Sequence, residues 1–256
     1  MDFNIKKPTH ILALFVLIIA LLVLVILPFF SYLGMFSSLQ SIQMEEVSGN
    51  FRLIFEIMAL LIQIVLLVML LFIGVPLLWY SLVNKLNLNG ILSRLKIRFK
   101  GIDMVFLWSI ITVIVGFAIF FAIGAVLTLL GFDLSDTSNI PEIESYFSLP
   151  SIFILLMIQP IGEEIFFRGF LLDKISCVAG KEVAIFSSAI LFGMAHLSYG
   201  KIYPAIMAGI LGILLGYVVM KTKNLNTAIV AHILFNVTSL TIYTVSKSLH
   251  LKALIL

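Results

Sequence analysis

The chain has little charge for its length: of 256 residues, 11% are Asp, Glu, Lys or Arg, whereas 62% are hydrophobic. Soluble domains typically carry about 25% charged residues, so this composition excludes an ordinary soluble domain. The mean hydropathy of +1.20 instead indicates an integral membrane protein. A net charge of +3, spread over short connections, provides no large basic surface, so no nucleic-acid partner is expected.

Cysteine is almost absent as well. Cys177 is the only cysteine, which excludes an internal disulfide bond and a cysteine-cluster metal site. The H-E-x-x-H motif of zinc proteases does not occur in the sequence either. No internal repeat is visible, although inverted repeats are a feature of many transporters. These absences argue against a disulfide-stabilised fold and against a transporter built from repeats.

What the sequence does contain is long apolar runs. The runs 10–32 and 53–80 are each long enough to cross a hydrocarbon layer of about 30 Å as helix, and they lack the alternation of β-barrel strands. The predicted fold is therefore all-α, a polytopic membrane helical bundle of seven helices, or eight if one long run is split. The other predicted spans are 102–130, 150–172, 182–197, 202–220 and 225–245.

The distribution of polar residues predicts three regions along the chain. Residues 1–149 are expected to form an accessory N-terminal transmembrane region of three spans. Residues 150–245 are expected to form a helical core of the C-terminal four spans that carries any chemistry, and residues 246–256 a tail. The first apolar run exceeds the about 7 to 15 residues of a signal-peptide apolar region, so we expect it to remain as an anchor.

Charged residues in the connections predict the orientation in the membrane. The connection 84–101 holds five basic residues and no acidic one, so the positive-inside rule places it in the cytoplasm. The connection 131–149 holds four acidic residues and no basic one, and the connection 38–50 holds Glu45 and Glu46; both are expected outside. Lys6 and Lys7 then place the N-terminus in the cytoplasm, in a multi-pass protein of the plasma membrane.

Three ionisable residues lie within six positions of the fourth predicted span: Glu163, Glu164 and Arg168. Each costs roughly 2.5 to 3.5 kcal/mol at the centre of a membrane helix, so together they indicate a functional site. Glu164 and Arg168 are four positions apart with the acid first, the favourable order for an ion pair. Glu163 is turned by about 100° from Glu164 and needs another partner, which makes it the better candidate for chemistry. Pro160 is expected to kink the helix just before the carboxylates.

Two later spans add further polar residues. Phe192 and His196 form F-x-x-x-H near the end of the fifth span, and His232 and Asn236 share one face of the seventh. Either histidine by itself is more typical of a hydrogen-bonded core residue. Together with Glu163 they fit two chemistries, and the residues alone leave both open. One is a zinc site; the other is water activation by a glutamate and a histidine beside an oxyanion hole of histidine and asparagine.

Convergence of these residues requires similar depths in the membrane. At about 1.5 Å per residue, Glu163 lies about 15 Å in from Lys174. On the same scale His232 lies about 13 Å in from Lys223, and His196 about 21 Å in from Lys181. A spread of about 8 Å is tolerable if the helices are tilted. A fifth span that starts after Ala184 would reduce this spread.

The motifs Glu-Glu-x-x-x-Arg at 163–168, Phe-x-x-x-His at 192–196 and His-x-x-x-Asn at 232–236 follow one another on successive hydrophobic helices. In this order they resemble the motifs of the CPBP family, which comprises type II CAAX prenyl endopeptidases and bacteriocin-processing enzymes, also called Abi proteins. The resemblance covers about 150–245, and every motif position is occupied as the family pattern expects.

The resemblance implies an intramembrane endopeptidase. Glu163 would polarise or deprotonate the attacking water, and His196 would assist. His232 and Asn236 would stabilise the tetrahedral oxyanion. Whether zinc is the cofactor, bound through Glu163, His196 and His232, or whether the mechanism is metal-free stays open.

The family resemblance also assigns Glu164 and Arg168 to the site, where they would orient other groups and balance charge. The partners it implies are membrane lipids and a peptide or protein substrate. That substrate would be either prenylated or the precursor of a bacteriocin or signal peptide. Two other classes remain open at this point. One is a transporter, in which intramembrane carboxylates and histidines relay ions or protons, and the other is a non-catalytic membrane partner, such as a bacteriocin-immunity protein or a signalling scaffold.

Overall fold

The structure is a computed structural model that describes residues 3–35, 49–132, 139–199 and 201–249, without the side chains of Asn50, Ser198 and Tyr199. Within these ranges every regular element is a helix, which confirms the all-α prediction. The helices, numbered in chain order, are α1 Pro8–Tyr32, α2 Gly49–Ile62 continued by Gln63–Gly74 and Val75–Leu82, α3 Leu88–Arg94, α4 Ile102–Leu129, α5 Ile140–Tyr146, α6 Leu149–Ala179, α7 Lys181–Ala195, α8 Ile202–Thr222 and α9 Leu225–Ser248.

Six of these helices, α1, α2, α4, α6, α8 and α9, are long and apolar enough to cross a membrane. The predicted fifth span corresponds to α7, which is helical as expected but has only 15 residues. At 1.5 Å per residue it reaches about 22 Å, less than the about 30 Å of a hydrocarbon layer. The prediction of seven spans therefore becomes six full-length helices and one shorter helix in the described part of the chain.

Small residues let α7 and α8 pack with their backbones close together. A Cβ atom on Gly193 of α7 would lie 2.7 Å from the backbone oxygen of Ala205 on α8. A Cβ on Gly212 of α8 would lie 3.1 Å from the Cα of Ala189 on α7. Without a hydrophobic driving force in lipid, such close packing is a main source of helix association. These glycines therefore form part of the surface through which α7 and α8 pack.

Helix α6 changes its geometry at the acidic motif. It continues as α-helix through Pro160 as far as Glu164, and then becomes π-helical over Ile165–Leu171. Helix α2 also contains a π-helical segment, Gln63–Gly74. Wide π-helical turns are rare and are often found at functional sites. The irregular segment of α6 therefore begins directly after the carboxylates, and the kink expected before them at Pro160 stays a prediction.

Several helix ends meet on one side of the bundle. The backbone N–H of Leu225, at the start of α9, donates to the backbone oxygen of Lys96 at 2.9 Å. The Arg94 guanidinium contacts the Asp173 carboxylate at 3.0 Å. The basic connection after α2, the last turns of α6 and the beginning of α9 therefore lie together, as the charge distribution predicted.

The opposite side is held together by acidic residues of α5. Glu142 forms an ion pair with Lys201 at 2.7 Å, and Glu144 forms one with Lys247 at 2.7 Å. This grouping agrees with the predicted sidedness of the connections. Glu45, Glu46 and most of the tail 246–256 lie outside the described residues, and the assignment of one side to the cytoplasm stays a prediction.

Candidate active site

The second glutamate of the acidic motif forms the predicted ion pair. Arg168 Nη1 lies 2.7 Å from Glu164 Oε1, and both side chains are fully buried. The Arg168 guanidinium also stacks on the Phe192 ring, with its central carbon 4.0 Å from the ring centroid. Gly212 leaves room for it, since a Cβ there would lie 3.0 Å from Arg168 Nη2. The arginine of the first motif is therefore held by the phenylalanine of the second and by a glycine of α8.

His232 connects the two glutamates. Its Nδ1 lies 2.9 Å from Glu164 Oε1, the same oxygen that accepts from Arg168. A carboxylate only accepts, so Nδ1 carries the hydrogen in this bond. Its Nε2 then faces Glu163, 3.8 Å from Oε2. The sequence predicted Glu164 as the partner of Arg168 alone, and the structure adds His232.

Glu163 is buried with a relative exposure of 4%. Its Oε1 accepts a hydrogen bond of 2.7 Å from Nε2 of Gln159, one turn earlier in α6. Its Oε2 is the oxygen that faces His232. The expectation that Glu163 has partners other than Arg168 is thus confirmed, and the two oxygens have different surroundings.

His196 follows α7 as the first residue of a short 3₁₀ turn. Its Nδ1 lies 2.8 Å from the backbone oxygen of Phe192. Because a carbonyl oxygen only accepts, this contact places a hydrogen on Nδ1 and leaves the lone pair of a neutral ring on Nε2. The Phe192 ring packs against the rings of both His196 and His232, with centroids 4.5 and 5.7 Å apart.

The motif residues from different helices line a shared space. A cavity of about 190 Å³ is lined by Glu163, His196, His232 and Asn236. The predicted convergence is therefore confirmed. It does not depend on a late start of the fifth span, because α7 begins at Lys181 rather than after Ala184. The remaining lining residues are Gln63, Asn139, Ile143, Phe147, Ile152, Leu155, Leu156, Gln159 and Pro160.

A second, more apolar cavity of about 200 Å³ adjoins the first. It is also lined by His196, His232 and Asn236, which together with Asn139 border both spaces. Its other walls are mainly aromatic and aliphatic. They comprise Phe117, Phe120, Asn139, Ile140, Phe192, Tyr203, Pro204, Met207, Ala208, Leu211, Phe235 and Ser239.

Sequence reasoning missed three polar residues of this site. Gln159 bonds Glu163, and Gln63 of α2 in turn donates to Gln159 Oε1 at 2.7 Å. Asn139 lines both cavities, and its buried Oδ1 has no hydrogen-bond partner among the described residues. The rule that polar groups in membrane helices are costly could have identified both glutamines. Asn139 lies in a connection, where an asparagine is ordinary.

The expected zinc ligands do not form a preassembled metal site. Over the ranges that the structure describes, no three His, Cys, Asp or Glu side chains are grouped so that they could hold a metal ion. A metal would draw on Glu163, His196 and His232, and these groups would have to move closer together. Zinc binding therefore stays a prediction.

Comparisons with known proteins agree with the motif order. A family model described as Type II CAAX prenyl endopeptidase Rce1-like matches residues 145–238, which include all three motifs. A search of curated proteins and a search of solved structures each found no match. The matched segment contains all of α6, α7 and α8, and the first part of α9, which carries His232 and Asn236. Over residues 145–238, somewhat more than a third of its length, this chain is therefore similar to the type II CAAX prenyl endopeptidases.

Proposed function

We propose that this protein is an intramembrane endopeptidase that hydrolyses a peptide bond with a water molecule activated by Glu163 and His196. The observation that carries the proposal is the shared cavity in which Glu163, His196, His232 and Asn236 meet from three helices. A base, a second proton acceptor and an amide donor at one buried surface match the needs of acyl transfer to water.

The two carboxylates have different tasks in this proposal. Glu164 is neutralised by Arg168 and orients His232, so it is a positioning residue. Glu163 keeps Oε2 toward the cavity and takes a proton from water, while the water oxygen forms a bond to the substrate carbonyl carbon. When the C–N bond breaks, the proton passes from Glu163 to the leaving amine nitrogen. The balance of the reaction is one water consumed and one carboxyl and one amine group released.

Asn236 and His232 would stabilise the oxyanion. The Asn236 amide can donate directly, because its nitrogen carries two hydrogens. His232 donates through Nδ1 to Glu164, so its Nε2 becomes a donor only when the ring holds both protons. Donors aimed at such an oxyanion are worth about 3 to 4 kcal/mol in low dielectric.

The substrate we propose is a membrane-associated peptide or protein with an apolar group near the scissile bond. The second cavity, walled by aromatic residues such as Phe117, Phe120 and Phe235, would hold that group. A prenylated C-terminal peptide and a bacteriocin or signal-peptide precursor both fit this description. We further propose that the protein lies in the plasma membrane with its N-terminus in the cytoplasm, because Phe3 stacks on Trp79 at the end of α2, near the basic connection.

Glu163→Gln tests the proposal. The amide keeps the size of the side chain but cannot accept the water proton, so peptide cleavage should fall by about 100-fold or more. The measurement compares the membrane peptidomes of strains that carry the wild type and the variant, and reports activity and substrate together. Glu163→Gln protein that is membrane-inserted, folded and fully active would refute the assignment. A transporter would give a different result. The reconstituted wild type would conduct protons, the variant would lose this flux, and the two peptidomes would be the same.

The cofactor prediction has a separate test. If zinc is bound through Glu163, His196 and His232, purified protein contains about one equivalent, and His196→Ala loses it. Elemental analysis of both proteins at equal concentration measures this directly. A wild type that is active and free of metal would support the metal-free mechanism.

A further inference from the structure

A chain of two glutamines extends from α2 to the proposed catalytic base. Gln63 Nε2 donates to Gln159 Oε1 at 2.7 Å, and Gln159 Nε2 donates to Glu163 Oε1 at 2.7 Å. The direction of these bonds follows from chemistry. An ionised carboxylate only accepts, so Gln159 must present its nitrogen to Glu163 and its oxygen to Gln63. Gln63 must then present its own nitrogen.

Gln63 occupies a position in a membrane helix where a polar side chain is energetically unfavourable. It lies in α2, whose most apolar 18-residue stretch has a mean hydropathy of 3.0, and the next eight residues are all apolar. Moving an amide from water into hydrocarbon without a hydrogen-bond partner costs several kcal/mol, as water-to-cyclohexane transfer indicates. Polar residues at this depth usually face the protein interior and serve function. Gln63 meets the first expectation, because it lines the same cavity as Glu163 and Asn236.

The backbone of α6 is shaped to bring α2 this close. Gly162, next to Glu163, packs directly on α2: a Cβ there would lie 2.9 Å from Val68 Cγ1 and 3.0 Å from Phe72 Cβ. The Gln63 side chain lies on the same helix, less than two turns before Val68. The contact at Gly162 and the bond at Gln159 therefore set the distance between the two helices from neighbouring positions.

We propose that Gln63 and Gln159 are positioning residues that hold the Glu163 carboxylate by Oε1, so that Oε2 faces His232 and the attacking water. This proposal rests on the proposed function of Glu163. Gln159 holds the carboxylate directly, and Gln63 acts only through Gln159. The helix α2, which lies outside the segment matched by the family model, thereby becomes part of the catalytic unit.

Substitution by methionine tests the chain, because methionine has nearly the same length as glutamine and no hydrogen-bonding amide. Gln159→Met removes a bond to a charged group and should lower kcat about tenfold, and Gln63→Met removes a neutral bond and should lower kcat about threefold. KM should change little in both variants, since neither residue binds the substrate. The probe is the peptide that distinguishes the wild-type and Glu163→Gln peptidomes, synthesised with a quenched fluorophore pair.

The double variant Gln63→Met/Gln159→Met gives the decisive result. If Gln63 acts through Gln159, the double variant is no slower than Gln159→Met alone. The proposal would be overturned if the kcat losses of the two single variants multiplied in the double variant. It would also be overturned if Gln63→Met kept the wild-type kcat. A loss that appears in KM alone would do the same, because it would assign the glutamines to substrate binding.

Two controls separate positioning from folding. Leu66→Met changes an exposed side chain three positions from Gln63 and should keep the wild-type kcat. The kcat of Gln63→Leu, a second substitution without an amide, is measured in parallel. Only variants with the wild-type melting temperature in detergent are used to compare the single and double variants. Active Glu163→Gln would refute the proposed function itself. Inactive Glu163→Gln with unaffected glutamine variants would refute only the glutamine chain.

Discussion

Helices α2 and α8 are both strongly apolar, yet they have different surroundings. The most apolar 18-residue stretch of α2 has a mean hydropathy of 3.0, and 11% of it is buried in the protein. The corresponding stretch of α8 has a lower mean hydropathy of 2.1, but 44% of it is buried. The more hydrophobic helix is therefore the more exposed one, the opposite of the trend in soluble proteins.

The difference between the two helices lies in their small residues. Helix α8 carries Gly209, Gly212 and Gly216, and α7 and Arg168 pack against this surface. The membrane-length part of α2, Phe51–Leu82, has one glycine, Gly74. Lipid tails are as apolar as leucine, so apolarity does not drive one helix against another, and close packing and hydrogen bonds do. Helix α2 therefore joins the bundle at a few defined contacts.

Arg168→Met should have the largest effect on this comparison, because it removes the buried guanidinium that lies beside Gly212. The substitution leaves Glu164 buried with His232 as its remaining partner. Breaking a buried ion pair from one side costs about 3 to 5 kcal/mol. We expect a large decrease in thermal stability in detergent, together with loss of activity. The double variant Glu164→Gln/Arg168→Met should recover much of the stability and none of the activity.

The matched control for this ion pair is Lys247→Met. Lys247 also pairs with a glutamate, Glu144, but 61% of its side chain is exposed. Such surface pairs contribute about 0 to 1 kcal/mol. If Lys247→Met decreased the thermal stability as much as Arg168→Met, burial would not distinguish the two ion pairs. That result would contradict the larger contribution expected from the buried pair.

Gly162→Ala tests the contact by which α2 joins the core. The new Cβ would lie 2.9 Å from Val68 Cγ1, so α2 must shift or the side chains must adjust. Overpacking of this kind costs about 1 to 3 kcal/mol. Val68→Ala in the same chain removes the closer contact and leaves Phe72 Cβ at 3.0 Å, so it should restore part of the stability. Gly116→Ala is the control, because its nearest neighbour would be at the ordinary distance of 3.5 Å.

Glu56→Gln should have the smallest effect. Glu56 of α2 accepts from the backbone N–H and the hydroxyl of Ser148, the residue that precedes the first turn of α6. Glutamine keeps an accepting oxygen and loses only the charge that favours a helix N-terminus, worth about 0.3 to 1 kcal/mol. Glu56→Leu, which also loses the acceptor, should decrease the melting temperature further. Equal melting temperatures for both variants and the wild type would mean that α2 is not anchored here.

The fold was predictable wherever it depends on local sequence. Long apolar runs predicted the membrane helices and their order, and the ends of α4 and α8 fall close to the predicted limits. The errors occur where the helix ends are decided by contacts. Helix α6 continues to Ala179 rather than to the predicted residue 172, and α7 stops at His196, whose ring bonds the backbone of Phe192.

The candidate site was predictable in its residues and not in its bonds. Glu163, His196, His232 and Asn236 were expected to converge, and they line one cavity. The Glu164 pairing with Arg168 was also expected, because it is local to one helix. The bond from His232 to Glu164 was not, because it joins positions 68 residues apart.

The sequence by itself therefore determined the helical class, the membrane setting and the motif residues. Each of these depends on run length, composition or spacing within one helix. Only the tertiary structure decided that Oε1 of Glu163 is held by Gln159, that Oε2 faces His232, and that Gln63 reaches the site. The physical reason is that bonds between helices depend on their axial shift and rotation. Those quantities are set by packing at residues such as Gly162 and Gly212, and apolar periodicity does not encode them.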